Sequence, residues 1–327
     1  MNVAVIGLGS MGKRRIRLIK KYDEKINIIG IDLNNRRCLE VTDEFKIETC
    51  SSLDEAINKY NISSVFISTS PLSHANIINQ CLNVGLNVFT ELNLVDTGYD
   101  ENIKLAKEKG CILFISSTFL YRAEVEYIKN ITENSKSNIC YNYHIGQYLP
   151  DWHPWENYKD FFISDKKTNG CREIFAIELP WLISTFGKIK DFKVVKNKIS
   201  SLDINYPDNY MILLQHESGH NGVLCVDVVS RKAVRNLELY SEEMYLHWDG
   251  SPKGLYLFDI ENKQDKNINL YNKIDKLDNY SSNIIENAYY NEIEEYFGCI
   301  KGNKKPRHTF EKDKEILDII SALESEI

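Results

Sequence analysis

Several signatures are missing from this chain, and each absence narrows its function. Its eight cysteines, Cys38, Cys50, Cys81, Cys111, Cys140, Cys171, Cys225 and Cys299, are scattered. They form no CxxC pair and no Cys/His ligand spacing, so no metal site is expected and the thiols read as reduced. No window approaches the roughly 20 apolar residues that span a bilayer. Positive charge is in deficit, with 40 basic against 47 acidic side chains and a formal net charge of -7. Such a chain lacks the field that sequence-independent nucleic-acid binding or an anionic membrane surface requires. The densest early basic cluster, Lys13-Arg14-Arg15, falls in a helix expected to turn its polar face to solvent. Met1 is followed at once by Val3-Ala4-Val5-Ile6 and glycines, without the basic start and cleavage site of a secretory leader, so a cytoplasmic location is expected.

What is present suits packed cores: 43% hydrophobic and 27% charged residues in 327, which excludes a disordered, collagen-like or disulfide-scaffold chain and suggests about two domains. Through residue 118 short β-branched runs alternate with helical patterns. Strands are expected at Asn2 to Ile6, Ile26 to Leu33, Ser64 to Ser68, Asn87 to Glu91 and Ile112 to Ser116. Helices are expected between them, and the alternation predicts a doubly wound parallel sheet of Rossmann type. From residue 119 to 327 the pattern changes to long Tyr-rich strand candidates with hairpin-like connections, two helices near Phe119 to Ile131 and Arg172 to Phe186, and two closing helices. That predicts an α+β domain with a large, open, mostly antiparallel sheet, one uncovered face of which would seek a partner in a homodimer or homotetramer. The Lys/Asn/Asp-rich stretch from Asp259 to Asp278 reads as a solvated loop.

The segment Gly7-Leu8-Gly9-Ser10-Met11-Gly12 is a G-x-G-x-x-G that leaves a strand and opens a helix. The first glycine permits the tight turn, the second lets backbone approach a pyrophosphate, and the third lets helix and strand pack closely. Helix amides after Gly9 would face the phosphates. Asp32, at the end of the second strand, can accept hydrogen bonds from a ribose diol and would repel a 2′-phosphate. NAD is therefore the expected cofactor, with NADP left open because Arg36 or Arg37 could meet an extra phosphate.

Two further stretches carry a family resemblance. Ser68-Thr69-Ser70-Pro71-Leu72-Ser73-His74 resembles the T-P-x-x-x-H loop of the Gfo/Idh/MocA family, and Gly85 to Asn93 is similar to its G-K-H-V-x-x-E-K-P stretch. The resemblance implies a nicotinamide-dependent oxidoreductase acting on sugars, cyclitols or their derivatives, with cofactor contacts at Thr69, Ser70, Pro71, His74, Glu91 and Asn93 beside Gly7–Gly12, Asp32 and Arg37. It also implies a substrate-facing Tyr121 and an open sheet used as an oligomer interface. The chain departs from the family at the acid/base positions. Leu92 stands where the family has its lysine, Asn93 where it has proline, and Ile177 or Ala176 where its histidine would fall. Glu173 aligns with the family's first Asp.

Replacements for the missing pair are sought in Tyr148 to Tyr158, which resembles a stretch of family members linked to surface-polysaccharide sugar pathways. Trp152 and Trp155 offer flat faces for a sugar ring, and Asp151, His153 and Glu156 can bond its hydroxyls. His153 and Glu173 are the catalytic candidates, since both can manage a hydroxyl proton. Arg172 reads either as a bidentate anion binder or as a helix N-terminal salt bridge, and Glu178 as a further substrate contact. Nicotinamide and substrate are expected to meet among Thr69–His74, Glu91–Asn93, Asp151–Glu156 and Arg172–Glu178. Three activities stand open at this level: hydride transfer with a sugar carbinol, a catalytically silent NAD-linked sugar-binding or regulatory protein, and a non-redox NAD-using epimerase or lyase.

Overall fold

A computed structural model of the chain describes residues 1–152, 156–277 and 283–325. In chain order the first elements are β1 (Asn2–Ile6), α1 (Ser10–Tyr22), β2 (Asn27–Ile31), α2 (Asn35–Phe45), β3 (Glu48–Cys50) and α3 (Leu53–Lys59). Then come β4 (Ile62–Ile67), α4 (Pro71–Asn83), β5 (Asn87–Thr90), α5 (Tyr99–Lys109), β6 (Leu113–Ile115), α6 (Ala123–Glu133), β7 (Cys140–Gly146) and α7 (Gly170–Phe186). The strands β8 (Ile189–Asn197), β9 (Asn209–His216), β10 (Asn221–Asp227), β11 (Val234–Tyr240), β12 (Tyr245–Trp248), β13 (Leu255–Asp259) and β14 (Gln264–Asn267) follow, and α8 (Glu286–Ile300) and α9 (Phe310–Ser325) complete the order.

The chain divides into two compact units, Met1–Ser117 with Tyr289–Leu317, and Thr118–Ala288 with Asp318–Ile327. In the first, a parallel sheet has the order β3-β2-β1-β4-β5-β6. β1, β2, β4 and β5 are nearly continuous apolar runs because helices cover both faces of such a sheet. Register then lines up Phe66, Phe89 and Phe114 across β4, β5 and β6. Their rings stack at 4.7 and 5.2 Å, and Tyr296 of α8 meets all three edge-on. Each such aromatic pair contributes about 0.5–1.5 kcal/mol beyond its burial.

Strand order reverses direction between β1 and β4, so the loops leaving these strands part from each other at their carboxyl ends. That is where open α/β sheets bind ligands. The loops after β1, β2, β4 and β5 carry Gly7–Gly12, Asp32, Thr69–His74 and Glu91–Asn93 to this one edge.

In the second unit the order is β14-β13-β12-β11-β7-β10-β9-β8. Pairing is antiparallel except between β7 and β10. Strict alternation along β9 buries Tyr210, Ile212, Leu214 and His216 on the face that α7 covers. Phe175, Trp181 and Phe186 of that helix meet Tyr210, Tyr143 and Tyr141 at ring distances of 5.2, 5.4 and 4.4 Å. Val195, Met211 and Leu213 stand on the opposite, open face and are exposed.

Two expectations need correction. The stretch after Asp259 is not all loop, because Gln264–Asn267 pairs with β13 as a fully exposed edge strand, and Asn267 Nδ2 also donates to the Lys253 carbonyl at 2.7 Å. The basic cluster does not face solvent as a whole. Arg14 and Arg15 are buried, and only Lys13 reaches outward, to Glu44 at 2.9 Å. Among the described residues, no helix is long and apolar enough to cross a membrane, and no group of His, Cys, Asp and Glu could hold a metal ion.

Candidate functional site

The turn after β1 is shaped by what its glycines exclude. Gly7 has φ +89, and a Cβ there would lie 2.6 Å from the Ser68 carbonyl oxygen. A Cβ on Gly12 would lie 1.9 Å from the Gly7 carbonyl oxygen. Around Gly9 there is open space within 4 Å. Two glycines are thus needed for close packing, and the third leaves room for a ligand to approach the backbone. Gly9 caps α1 without any side-chain hydrogen bond, and no acidic residue occupies the first turn. The positive end of the helix therefore has no carboxylate of its own to neutralise it, which suits a bound phosphate.

Asp32 is held rather than free to swing. One carboxylate oxygen accepts from the Leu8 amide at 2.8 Å and the other from the Asn34 amide at 2.8 Å. Each oxygen keeps a further lone pair for a ribose hydroxyl. Arg37 lies 3.7 Å from the same carboxylate, so its charge is already partly answered. This donor and acceptor set fits an adenine dinucleotide: an open backbone at Gly9, an uncapped helix start, and a fixed carboxylate one strand away.

The loop after β4 is tied in three places. Thr69 Oγ1 and Ser73 Oγ are 2.7 Å apart, Ser73 Oγ donates to the Ser70 carbonyl at 2.7 Å, and Pro71 begins α4. His74 is buried, with Nε2 at 3.0 Å from the Thr69 carbonyl oxygen and Nδ1 at 2.5 Å from Asn93 Oδ1. Burial pushes its pKa down despite these contacts.

Glu91 is committed internally. Arg15 grips it bidentately at 2.7 and 2.8 Å, and Ser68 Oγ donates to it at 3.3 Å. The same guanidinium reaches Glu292 at 2.9 Å and lies over the Phe89 ring. Burial works against the charge of Arg15, but Glu91 and Glu292 outweigh it and raise the pKa well above the ordinary value. Burial pushes Glu292 up, and Arg15 opposes that shift. Sequence reasoning missed this clamp. The available signal was position: Arg15 lies four residues after Met11 and one before Ile16, on the inward side of α1.

In the second unit, Asn169 caps α7 by accepting from the Arg172 amide at 2.8 Å. Arg172 is buried and pairs with Glu324 while donating to Ser321 Oγ at 3.2 Å. Of the two readings of Arg172, the internal salt bridge is the one formed, although the partner comes from α9. Glu178 is wholly enclosed. Arg235 binds its Oε1 at 2.6 and 3.0 Å, and Tyr143 Oη and Trp181 Nε1 each donate to Oε2 at 2.7 Å. With four donors in place, it serves the core and presents no carboxylate to a ligand. Tyr121 is likewise buried, in a 3-10 turn at Thr118–Tyr121.

Glu173 differs from both. Its Oε2 is enclosed and has no hydrogen-bond partner, and burial pushes its pKa up to about 7. A carboxyl pushed up this far, with one oxygen unpartnered, can both give and take a proton. Trp152 donates from Nε1 to the Gln147 carbonyl at 3.1 Å and lies close to Gly170, one turn from Glu173. Asp151 and Glu156 are exposed. His153 and Trp155 lie outside the described residues.

Residues 1–117 match the family described as "Oxidoreductase family, NAD-binding Rossmann fold", Gfo/Idh/MocA. The chain is 27% identical over 139 residues to the Myo-inositol 2-dehydrogenase of Thermotoga maritima, covering 41% of each chain. It is 23% identical over 297 residues to the Inositol 2-dehydrogenase of Salmonella typhimurium, covering 80% of this chain and 83% of that one. In the first of these relatives the match thus spans about two fifths of the protein's length. A solved levoglucosan dehydrogenase, in complex with NADH and L-sorbose, superposes with TM-score 0.79 at 14% identity over 99% of this chain and 95% of the other. Its likeness establishes the fold of the whole chain. The motif at Gly7–Gly12, the strand order and the family match together identify residues 1–117 as an NAD-binding Rossmann fold of the Gfo/Idh/MocA oxidoreductase type.

Proposed function

We propose that the chain is an NAD-dependent oxidoreductase that interconverts a carbinol and a keto carbon of a sugar or cyclitol derivative, with Glu173 as its general acid/base. The observation that carries the reading is the enclosed, unpartnered Glu173 Oε2, whose carboxyl is pushed up to about 7. Similarity to an inositol 2-dehydrogenase and to a levoglucosan dehydrogenase supports the substrate class. The aromatic segment at Trp152 supports the narrower one, a sugar of surface-polysaccharide biosynthesis.

When bound, NAD would supply the hydride-transfer chemistry. The chain's own residues do the rest. The α1 N-terminus and Gly9 would hold the pyrophosphate, and Asp32 would accept from the adenosine ribose hydroxyls. Thr69–Pro71, with His74 and Asn93 behind them, would line the nicotinamide side. Ionised Glu173 takes the hydroxyl proton in the oxidative direction, and its protonated form returns a proton to the alkoxide in the reductive one. Leu92 holds no proton, so the acid/base work falls to Glu173 rather than to the residue at the family's lysine position. We also propose that the exposed Val195, Met211 and Leu213 on the open sheet face serve a homo-oligomeric contact.

The test mixes the purified chain with NAD or NADH and a panel of sugars, ketosugars and cyclitols, and follows nicotinamide absorbance. Turnover that Glu173→Gln abolishes while NADH affinity persists is the expected result. Absence of NADH and NADPH binding at millimolar concentration refutes the cofactor assignment. Tight binding without turnover across the panel identifies a catalytically silent sugar-binding protein instead, and turnover without net NADH change an epimerase or lyase.

A further inference from the structure

Five polar side chains of the first unit form a buried file that ends on the cofactor loop. His308, Asp313, Tyr99, Asn93 and His74 are between 1% and 5% exposed. His308 Nε2 lies 2.9 Å from Asp313 Oδ1, and the Tyr99 hydroxyl donates to Asp313 Oδ2 at 2.5 Å. The Asn93 amide approaches the Tyr99 hydroxyl from the other side. Asn93 Oδ1 then meets His74 Nδ1, and His74 Nε2 meets the Thr69 carbonyl, at 2.5 and 3.0 Å. Ser68 and Thr69 in turn press on Gly7, where a Cβ would stand 2.6 Å from the Ser68 oxygen and 3.0 Å from Thr69 Cγ2.

The protons along this file do not match a neutral imidazole with the amide in this orientation. Both atoms facing His74 are oxygens that only accept, and a neutral ring has a single N–H. Asn93 Nδ2, meanwhile, completes no hydrogen bond. Two arrangements satisfy both contacts of His74. With both ring nitrogens protonated, the amide stays as it is, and Tyr99 donates to Asp313. With a neutral ring, the amide turns end for end: Nδ2–H donates to Nδ1, Nε2–H donates to the Thr69 carbonyl, and the single Tyr99 proton must choose between Asp313 Oδ2 and Asn93 Oδ1. The groups that bear on the ring are Glu91 from the loop after β5, Tyr99 from α5, and Asp313 from α9 behind Tyr99, itself paired with His308. No arrangement satisfies both contacts of His74 without Asn93 matching its proton count.

We propose that Asn93 is a positioning residue: its amide orientation follows the protonation of His74, and the pair together holds the Thr69 carbonyl and the loop against Gly7. The inference rests on the reading of this edge as a dinucleotide site. A proton taken up from water at His74 turns the amide one way, and its release turns the amide back. Proline or any apolar residue at position 93 could not follow that change.

The test reads the His74 ring directly. Nitrogen-15 NMR of the full chain without cofactor gives the tautomer and titration midpoint of His74, assigned by the signal that His74→Gln removes. A carboxylate at position 93 cannot donate, so Asn93→Asp raises the midpoint by at least about one pH unit, tenfold in proton affinity. Asn93→Leu offers no bond and lowers it. NADH titration of the same proteins follows, with Asn93→Leu binding about tenfold more weakly near neutral pH and Asn93→Asp showing a pH profile displaced with its midpoint. Should Asn93→Leu not fold, Tyr99→Phe withdraws the hydroxyl that Asn93 faces and moves the His74 midpoint. Identical His74 midpoints in wild type, Asn93→Asp and Tyr99→Phe overturn the proposal. A wild-type chain that titrates as expected but binds no NADH overturns the cofactor reading instead, since the ring titration needs no cofactor.

Discussion

Glu173 makes a demand on stability that can be measured apart from activity. Its carboxyl is pushed from 4.5 up to about 7 by burial, and Oε2 has no partner to offset the lost hydration. Between those two values the folded chain holds a proton that the unfolded chain has released. Stability therefore falls as pH rises through this window, and the full loss is present above about pH 7. At 1.36 kcal/mol per unit, the displacement amounts to about 3 kcal/mol. Glu173→Gln keeps the shape of the neutral acid and removes the titration. Relative to wild type, the variant should gain about 2.5 kcal/mol between about pH 5 and about pH 8. Any constant cost of the buried amide cancels in that difference. Urea denaturation of both proteins at the two pH values measures it, and turnover in the same preparations should be lost. A stability difference that does not change with pH would show that Glu173 is solvated or paired in solution, and would remove the physical basis for its acid/base role. The expected pattern, greater stability with less activity, is what a strained functional group produces.

Gly12→Ala places a Cβ 1.9 Å from a backbone oxygen, so the turn must shift; calorimetry should show NADH affinity falling at least about tenfold. Asp32→Ala frees the Leu8 and Asn34 amides and leaves Arg37 without its carboxylate. NADH affinity should drop and the preference over NADPH should shrink, read by parallel titrations with both nucleotides. Glu178→Ala strands a buried Arg235 together with the Tyr143 hydroxyl and the Trp181 indole N–H, and should cost about 3–5 kcal/mol in urea denaturation. Glu178→Leu combined with Arg235→Met should recover much of that loss, because the uncompensated charge goes with its partner.

The local grammar of this sequence was enough for the Rossmann sheet. Continuous apolar runs, capped helices and the Gly7–Gly12 turn are read from neighbours a few residues apart, and β1, β4 and β5 lie where the runs predict, within two residues at any end. Short or edge strands escaped that grammar. Glu48–Cys50 is only 3 residues long, and Gln264–Asn267 has no apolar residue, so neither shows a hydrophobic period. Tyr245–Trp248 is likewise visible only through its pairing with Leu237–Tyr240.

The fate of the charged residues was decided by tertiary structure alone. Arg172 finds Glu324, Arg235 finds Glu178, and Arg15 finds Glu91 and Glu292, each far along the chain. Arg172, Glu178 and Glu91 are each held by an internal counter-ion, whereas Oε2 of Glu173, on the same helix as two of them, has no hydrogen-bond partner. A side chain's type sets what chemistry it can do; whether it remains available depends on which opposite charge the fold has already brought within reach, and that distance is not written in any local run of residues.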